Sequence, residues 1–530
     1  FGSRPICSRD VNKNSTKMVL RTVLLSFGLV VAAERTEDLV TELPGFPPAS
    51  TWGFKAYSGL LNVPGPVCGY DALRIHYQFH TSQSDASKDP LVTWHQGGPG
   101  GSSIDVGLYG EMGAFQVGDK VHGMYLNPYA WNKVANMLYL ESPAGSGQGD
   151  GFSQCIKDGV AVTCHWSDKT QAEAYSHSLV AFLDAFPEFA KHDLYLTGES
   201  YFGQYGPNIA HFILNNEPFK TQLHLKGIAA GNACWGGTET CVACNGPSNA
   251  KIDVENFFGK ALFSPTLKAE IDAECTFATT YSAGAGHGPF ACDGDHKLST
   301  KCHDLLSEMH RQVGRHNVYD IYDNCPNTQV FLDKAGKDMQ WLTNKLRQGL
   351  TTPGALREEL LNISGGYTWD CGGNVGAWIK SPEVMKALHL DGHGSGSGFA
   401  YESSGPASIT LWPELSKKLR VLIYNGDADA CVPWVGNEDW VFGLYKQGTL
   451  NETAPWSPWF TKNKACPAGY ITKFKSPEAD FDFHFATIRL AGHMAPTFMP
   501  EASLVMLTDF LHGPGSSQEE PPITPGVTLV

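Results

Sequence analysis

Ser200 sits in the hexapeptide Gly198-Glu199-Ser200-Tyr201-Phe202-Gly203, between the apolar run Leu194-Tyr195-Leu196 and a helical pattern from Gln204 to Asn215. A serine on a sharp strand-to-helix turn, with glycine two places before it, has the setting of a nucleophile elbow. Such a turn lifts the hydroxyl clear of the backbone and aims the helix N-terminus at the reacting carbon. Gly-x-Ser alone is common in a chain of 530 residues. The fifth position of the usual Gly-x-Ser-x-Gly pattern holds Phe202, and the small residue arrives one place later as Gly203. A serine nucleophile also needs a base and a group to orient that base.

Two later loops supply them. Gly426-Asp427-Ala428-Asp429 follows the run Val421 to Asn425, and Gly492-His493-Met494 follows Thr487 to Ala491. Serine, aspartate and histidine in that chain order, each after a strand-like run, form the triad order of an α/β hydrolase. Asp427 and Asp429 compete for the acidic role. The spacing Gly426-x-x-Asp429 leaves room for the chain to turn toward the histidine, so Asp429 is assigned that role and Asp427 the turn. A third loop, Gln96-Gly97-Gly98-Pro99-Gly100-Gly101-Ser102-Ser103, follows Leu91 to Trp94. Its glycines let backbone N–H groups approach a ligand closely. The N–H of Gly98 and that of Tyr201, next to the serine, form the expected oxyanion hole.

These loops need a sheet to hold them. Short apolar runs at Leu91–Trp94, Met137–Leu140, Leu194–Leu196, Gly227–Ala230, Val421–Tyr424 and Thr487–Leu490 read as strands buried on both faces. Helical patterns such as Thr170–Phe186 and Gln204–Asn215 separate several of them. The alternation predicts an α/β-hydrolase fold with a mostly parallel central sheet. Tyr57–Val63 and Leu73–Phe79 read as an antiparallel pair at its edge. The alternation breaks from residue 233 to residue 371, a cysteine-rich stretch read as an inserted lid. The hydrolase core then comprises residues 34–232 and 372–513, followed by a Pro-, Ser- and Glu-rich disordered tail at 514–530.

Residues 18–33 (MVLRTVLLSFGLVVAA) read as a secretory signal peptide, and 1–17 as leader sequence outside the fold. The 14 cysteines fit an oxidising compartment. Cys155 and Cys164 are expected to close a local loop. Cys241-x-x-Cys244 lacks a second such pair, and its dense cysteine context favours disulfides over zinc. Asn362-Ile363-Ser364 and Asn451-Glu452-Thr453 are glycosylation sequons, with Asn362 and Asn451 the expected acceptors. A formal charge of −15 without any basic run excludes nucleic acid as a partner. No stable membrane insertion is expected, and no metal or cofactor. Self-association as a homodimer stays open.

The motifs converge on one family. Trp94-His95-Gln96-Gly97-Gly98-Pro99-Gly100, Glu111-Met112-Gly113, Asn127 to Asn132 (NPYAWN), Leu140 to Gly145 (LESPAG), Gly198-Glu199-Ser200-Tyr201, Gly426-Asp427-Ala428-Asp429 and His493-Met494-Ala495-Pro496 resemble the serine carboxypeptidase family from about Leu43 to Gly513. The resemblance implies release of one residue at a time from peptides with a free C-terminus, best at acid pH, in a lysosome, a vacuole or the extracellular space. It places Glu199, Glu111, Gln96, Trp94 and the Gly97 N–H around the substrate's carboxylate. Two adjacent carboxyls cannot both ionise cheaply, so one pKa rises, and the protonated group can then donate to that carboxylate. The chain departs from the family in having Gln96 for the usual Asn and Gly101 for a usual Cys, whose partner is also missing between Asp391 and Arg420. Phe202 and the Cys155–Cys164 loop are further departures. Two alternatives share the scaffold: an acyltransferase, and a non-catalytic protective or binding protein.

Overall fold

The computed structural model describes residues 35–516 except 118–123, 148–150, 237–243, 247–248, 278–297, 315, 324–373, 395, 463–465 and 514. The expected leader and signal peptide, the Asn362 sequon, Cys7, Cys241, Cys292, Cys325, Cys371 and the tail past residue 516 lie outside the described residues.

The strands in chain order are β1 (Leu39–Val40), β2 (Ala56–Val67), β3 (Tyr70–His80), β4 (Leu91–His95), β5 (Phe115–Val117), β6 (Met124–Leu126), β7 (Asn136–Leu140), β8 (Gln154–Lys157), β9 (Val160–Val162), β10 (Cys164–Ser167), β11 (Leu194–Glu199), β12 (Leu225–Gly231), β13 (Phe399–Glu402), β14 (Arg420–Gly426), β15 (Asn451–Trp459), β16 (Gly469–Lys475) and β17 (Asp482–Ile488). Thirteen of them form one sheet in the order β1-β2-β3-β7-β4-β11-β12-β14-β17-β16-β15, with β8 and β9 branching from β3. From β7 to β17 the pairing is parallel. The two ends are antiparallel, as the Tyr57–Val63 and Leu73–Phe79 reading expects at one of them.

The parallel strands β4, β7 and β11 are buried throughout and β12, β14 and β17 over most of their length, and successive side chains feed opposite faces. Leu91, Leu196, Ile228, Val421 and Ile423 enter one core, while Val92, Trp94, Tyr195, Ala229, Leu422 and Tyr424 enter the other. Helix α1 (Asp168–Ala185) and helix α2 (Phe202–Asn215) cover the first face. Because β4, β11, β12, β14 and β17 run in the same direction, their carboxyl ends share one edge of the sheet. The Gln96–Ser103 loop, Ser200, Asn232, the Asp429 loop and the His493 loop all leave from that edge.

One boundary differs from expectation. The strand before His493 runs Asp482–Ile488 rather than Thr487–Leu490. The Arg489 N–H still bonds Ala468 O at 2.8 Å, just before β16, but the Leu490 N–H is captured by Asp427 Oδ1 at 2.7 Å, which draws the chain into a turn there. Leu490 is accordingly exposed, with φ +62°.

Within the insertion, helices Asn249–Gly259, Pro265–Glu274 and Thr300–Val313 pack on an apolar cluster of their own that includes Phe257, Ile271 and Met309. Ala430, from the loop after β14, joins that cluster, so the insertion is seated on the loop that carries Asp429. Cys275–Cys302 ties two of these helices, and Cys155–Cys164 closes the β8–β10 loop as expected. Cys244 pairs with Cys234, while Cys68, Cys431 and Cys466 are free thiols. Asn451 is exposed at the start of the edge strand β15, on a strand rather than a loop. No helix among the described residues is long and apolar enough to cross a membrane.

Candidate active site

Ser200 caps the sharp turn from β11 into α2 with φ +62°. Its backbone is fixed on both sides: the Ser200 N–H donates to Gly231 O at 2.9 Å, and Ser200 O accepts from Gly203 N at 2.9 Å and Cys234 N at 3.0 Å. Close approach to the segment that follows β12 falls to Gly203, where a Cβ would lie 2.3 Å from Cys234 O and 2.5 Å from Cys234 N. Phe202 has a place of its own. Its ring lies between Gly198 and Gly206, where an added Cβ would come within 2.4 Å and 2.5 Å of it. The irregular spacing of the elbow therefore moves the glycine contact on by one residue and fills the vacated position with an aromatic ring. Gly203→Ala is expected to destabilise the fold by about 2 kcal/mol or more, because only backbone can yield there. Chemical denaturation would measure this, and an unchanged midpoint would count against the packing argument.

The end of β12 links this turn to the acid loop. Gly231 accepts from Ser200, and the next residue, Asn232, donates from Nδ2 to Asp429 Oδ2 at 2.8 Å while its Oδ1 accepts from Gly426 N at 3.0 Å. Asp429 Oδ2 also accepts from His493 Nδ1 at 2.8 Å and Val432 N at 2.9 Å, and its Oδ1 accepts from Cys431 N at 2.8 Å. A carboxylate oxygen can only accept here, so Nδ1 carries the proton and Nε2 of the neutral ring is left as the base. Burial disfavours the His493 cation, but the Asp429 charge and hydrogen bond, with Glu199, outweigh it and raise the His493 pKa above 6.5. Among the described residues the Ser200 hydroxyl has no hydrogen-bond partner, His493 included. Apo catalytic contacts of this kind commonly tighten only with substrate.

A segment of the insertion completes the arrangement. Val318 O accepts from Ala430 N, and the Ile321 N–H donates to Ala428 O, both at 3.0 Å. Tyr319 O accepts from His493 N at 2.7 Å, and the Tyr319 ring lies 5.1 Å from the imidazole. This strap thus bonds the backbones of both the Asp429 and His493 loops.

Beside the elbow lies a directed chain of polar side chains. Trp94 Nε1 donates to Gln96 Oε1 at 2.9 Å, which turns the Gln96 amide so that Nε2 donates to Glu199 Oε1 at 2.6 Å. Trp94 is held against Trp131, edge to face at 5.3 Å, and over Gly107, where a Cβ would lie 2.3 Å from its Cδ1. Glu111 stands in the last turn of a π-helix, Ser103–Met112, whose Ser102 cap accepts from Asp105 N at 3.0 Å. Glu111 Oε1 and Oε2 and Glu199 Oε2 are buried, and none of them has an N–H or O–H partner among the described residues outside the pair. With these buried oxygens uncompensated, ionising both carboxyls is strongly disfavoured. Burial, then the neighbouring Glu199 charge, raises the Glu111 pKa well above the usual carboxyl range. Burial likewise lifts Glu199, to about 7, against the opposing pull of His493 and its hydrogen bonds.

Gly97 packs directly on the elbow: a Cβ there would lie 2.5 Å from Tyr201 N and 2.6 Å from Ser200 Cβ. Gly98 adopts φ +119°, a region that glycine tolerates and other residues do not. Two departures from the family pattern fit one another in space. A Cβ at Gly101 would lie 3.0 Å from Gln96 Cγ and 2.9 Å from Gly97 O. The extra methylene of Gln96 thus uses room that a side chain at position 101 would claim. Sequence reasoning missed Asn232 and Tyr319. A polar residue two places after the buried run Gly227–Ala230, past Gly231, was the available sign for Asn232; Tyr319 had none.

The serine carboxypeptidase family model matches residues 44–513. Serine carboxypeptidase-like 42 of Arabidopsis thaliana is 28% identical over 518 residues, covering 95% of this chain and 97% of that protein. Serine carboxypeptidase ctsa-4.1 of Caenorhabditis elegans is 28% identical over 529 residues, covering 93% and 97%. The fold is similar to the crystal structure of Kex1(delta)p, a prohormone-processing carboxypeptidase from Saccharomyces cerevisiae, with a TM-score of 0.60 at 19% identity over 90% of this chain and 96% of that one. With the family pattern matched from end to end of the sheet and its loops, the chain belongs to the serine carboxypeptidase family and is a hydrolase of that class.

Proposed function

We propose that the protein releases single residues from the C-termini of peptides at acid to neutral pH, through Ser200, His493 and Asp429. The observation that carries this reading is the buried carboxyl pair Glu111–Glu199 beside the elbow, Glu199 held by Gln96 and Gln96 by Trp94. A protonated carboxyl donates to a substrate carboxylate, whereas two ionised carboxyls would repel it. The Gly97 N–H is a further donor for the same group. The inserted helices act as the lid, and the disulfides fit passage through the secretory route.

In the reaction, His493 Nε2 takes the Ser200 proton as Oγ bonds to the last peptide carbonyl carbon. The N–H groups of Gly98 and Tyr201 hold the oxyanion. The C–N bond breaks as His493 returns the proton to the leaving amine. Water, deprotonated by His493, then attacks the acyl ester, and His493 passes that proton to Ser200 Oγ as the ester C–O bond breaks, which frees the shortened peptide. Asp429 keeps the ring oriented and stabilises its cation.

The pH dependence follows from the signs. Glu199 is raised from 4.5 to about 7, chiefly by burial. As pH rises through about 7 Glu199 ionises and the pair gains a negative charge, so peptide binding weakens through that value. Protonating the pair also removes part of the charge that raises the His493 pKa. Glu199→Gln is expected to lower kcat/KM on an N-blocked dipeptide at pH ~5 by roughly 10- to 100-fold and to reshape the alkaline limb. An N-blocked nitrophenyl ester, which lacks the carboxylate, should be nearly unaffected. An unchanged dipeptide profile would refute this reading of the carboxyl pair. Repeating the assay with added alcohol separates hydrolysis from acyl transfer.

A further inference from the structure

His95, at the end of β4, takes no part in the chemistry above, yet it is a fully enclosed imidazole next to Gln96. It is 1% exposed and caged by Tyr205, Tyr175 and Phe202, with ring centroids at 4.4, 5.1 and 6.1 Å. Its Nδ1 lies 2.7 Å from Gln96 O, and its Nε2 lies 2.9 Å from Gln171 Nε2. A carbonyl oxygen only accepts, so Nδ1 carries the proton. In a neutral ring Nε2 then accepts, which is the role that the Gln171 amide N–H requires. Burial lowers the His95 pKa to about 4, and the hydrogen bond to Gln96 offsets this only in part, so the ring keeps one tautomer through the acid range.

Gln96 is locked at every polar atom. Its N–H donates to Ser103 Oγ at 3.1 Å, its O accepts from His95, its Oε1 accepts from Trp94 and its Nε2 donates to Glu199. In a trans peptide group the carbonyl and the following N–H point in opposite directions. The Gln96–Gly97 bond is not among the cis peptides of the chain. With the Gln96 carbonyl held toward His95, the Gly97 N–H faces the other way, and among the described residues it finds no acceptor.

We propose that His95 is a positioning residue that aims the Gly97 N–H at the substrate's C-terminal carboxylate by holding the Gln96 carbonyl on the opposite side of the same peptide group. Gln171 sets the tautomer that makes this possible. The inference rests on the carboxypeptidase reading and adds a residue to its carboxylate clamp.

The test compares two substrates on the full-length enzyme: an N-blocked dipeptide, which presents the carboxylate, and an N-blocked nitrophenyl ester, which does not. His95→Leu fills the aromatic cage but cannot donate. It is expected to raise KM for the dipeptide by roughly 10- to 100-fold while changing kcat little and leaving ester turnover within about twofold. His95→Asn, whose amide can reach the Nδ1 position, is expected to restore most of the loss. Equal losses on both substrates, or no loss on the dipeptide, would overturn the proposal. If His95→Leu does not fold, Gln171→Met carries the same readout: a dipeptide-specific rise in KM supports the proposal, and an equal loss overturns it. Failure of the unmodified enzyme to cleave the dipeptide at all would instead sink the carboxypeptidase reading.

Discussion

Ser200→Ala is expected to lower kcat on an N-blocked dipeptide by on the order of 10⁶, to background, with the thermal midpoint unchanged. The second half of that expectation is as specific as the first. The turn is held by the Ser200 N–H on Gly231 and by Ser200 O accepting from Gly203 and Cys234, none of which involves the side chain. The positive φ of +62° strains alanine as it strains serine, so the substitution adds no backbone cost. The hydroxyl itself has no partner among the described residues, so its removal orphans nothing. A loss of activity with intact stability therefore isolates the nucleophile. A fluorophosphonate that labels the parent protein and not the variant gives an independent readout. Retained peptide release by the purified variant would remove Ser200 from the mechanism.

The sheet and the order of its loops were legible because parallel strands buried on both faces leave long apolar runs, and every run ends at the same edge. Gly-Asp-x-Asp and Gly-His after such runs could be placed beside the elbow without knowing any distance. Of the two aspartates, Asp429 is the one hydrogen-bonded to His493, and Asp427 holds the turn through Leu490. That same bond explains the misread strand: local apolarity at Ile488–Leu490 suggested a strand, and a carboxylate 63 residues away captured one of its N–H groups.

What stayed hidden depends on space that no linear pattern records. Phe202 looks misplaced in a five-residue motif because the glycines that accommodate it are Gly198 on the strand and Gly206 one helical turn on. Gln96 and Gly101 look like separate departures until the distance from Gln96 Cγ to position 101 shows one volume shared by both. Tyr319 lies 174 residues before the histidine whose backbone it holds, inside a stretch with no periodicity to read. The strap at Val318–Ile321 thus bonds both of the loops that carry Asp429 and His493.

Asp429 offers the second large effect, and its hydrogen bonds predict an unusual ranking of substitutions. Asp429→Ala removes the acceptor for four donors and is expected to lower kcat by about 10⁴. Asparagine acts differently. Donors from His493, Asn232 and Val432 converge on Oδ2, and Cys431 alone faces Oδ1. An asparagine that keeps its carbonyl at the Oδ2 position sets its NH₂ against one donor, while the reverse orientation sets it against three. The first orientation wins, so His493 keeps its proton on Nδ1 and Nε2 stays a base. The loss is then one of charge rather than of tautomer, and Asp429→Asn is expected to fall well short of the ~10⁴ that a reversed tautomer costs. Removing the Asp429 charge leaves burial as the dominant influence on His493, so its pKa falls and the acid limb of kcat moves to lower pH. The two pH–rate profiles decide the point: an Asn variant as inactive as Ala, or an acid limb that does not move, would mean that the donors around Oδ2 do not set the orientation of the ring.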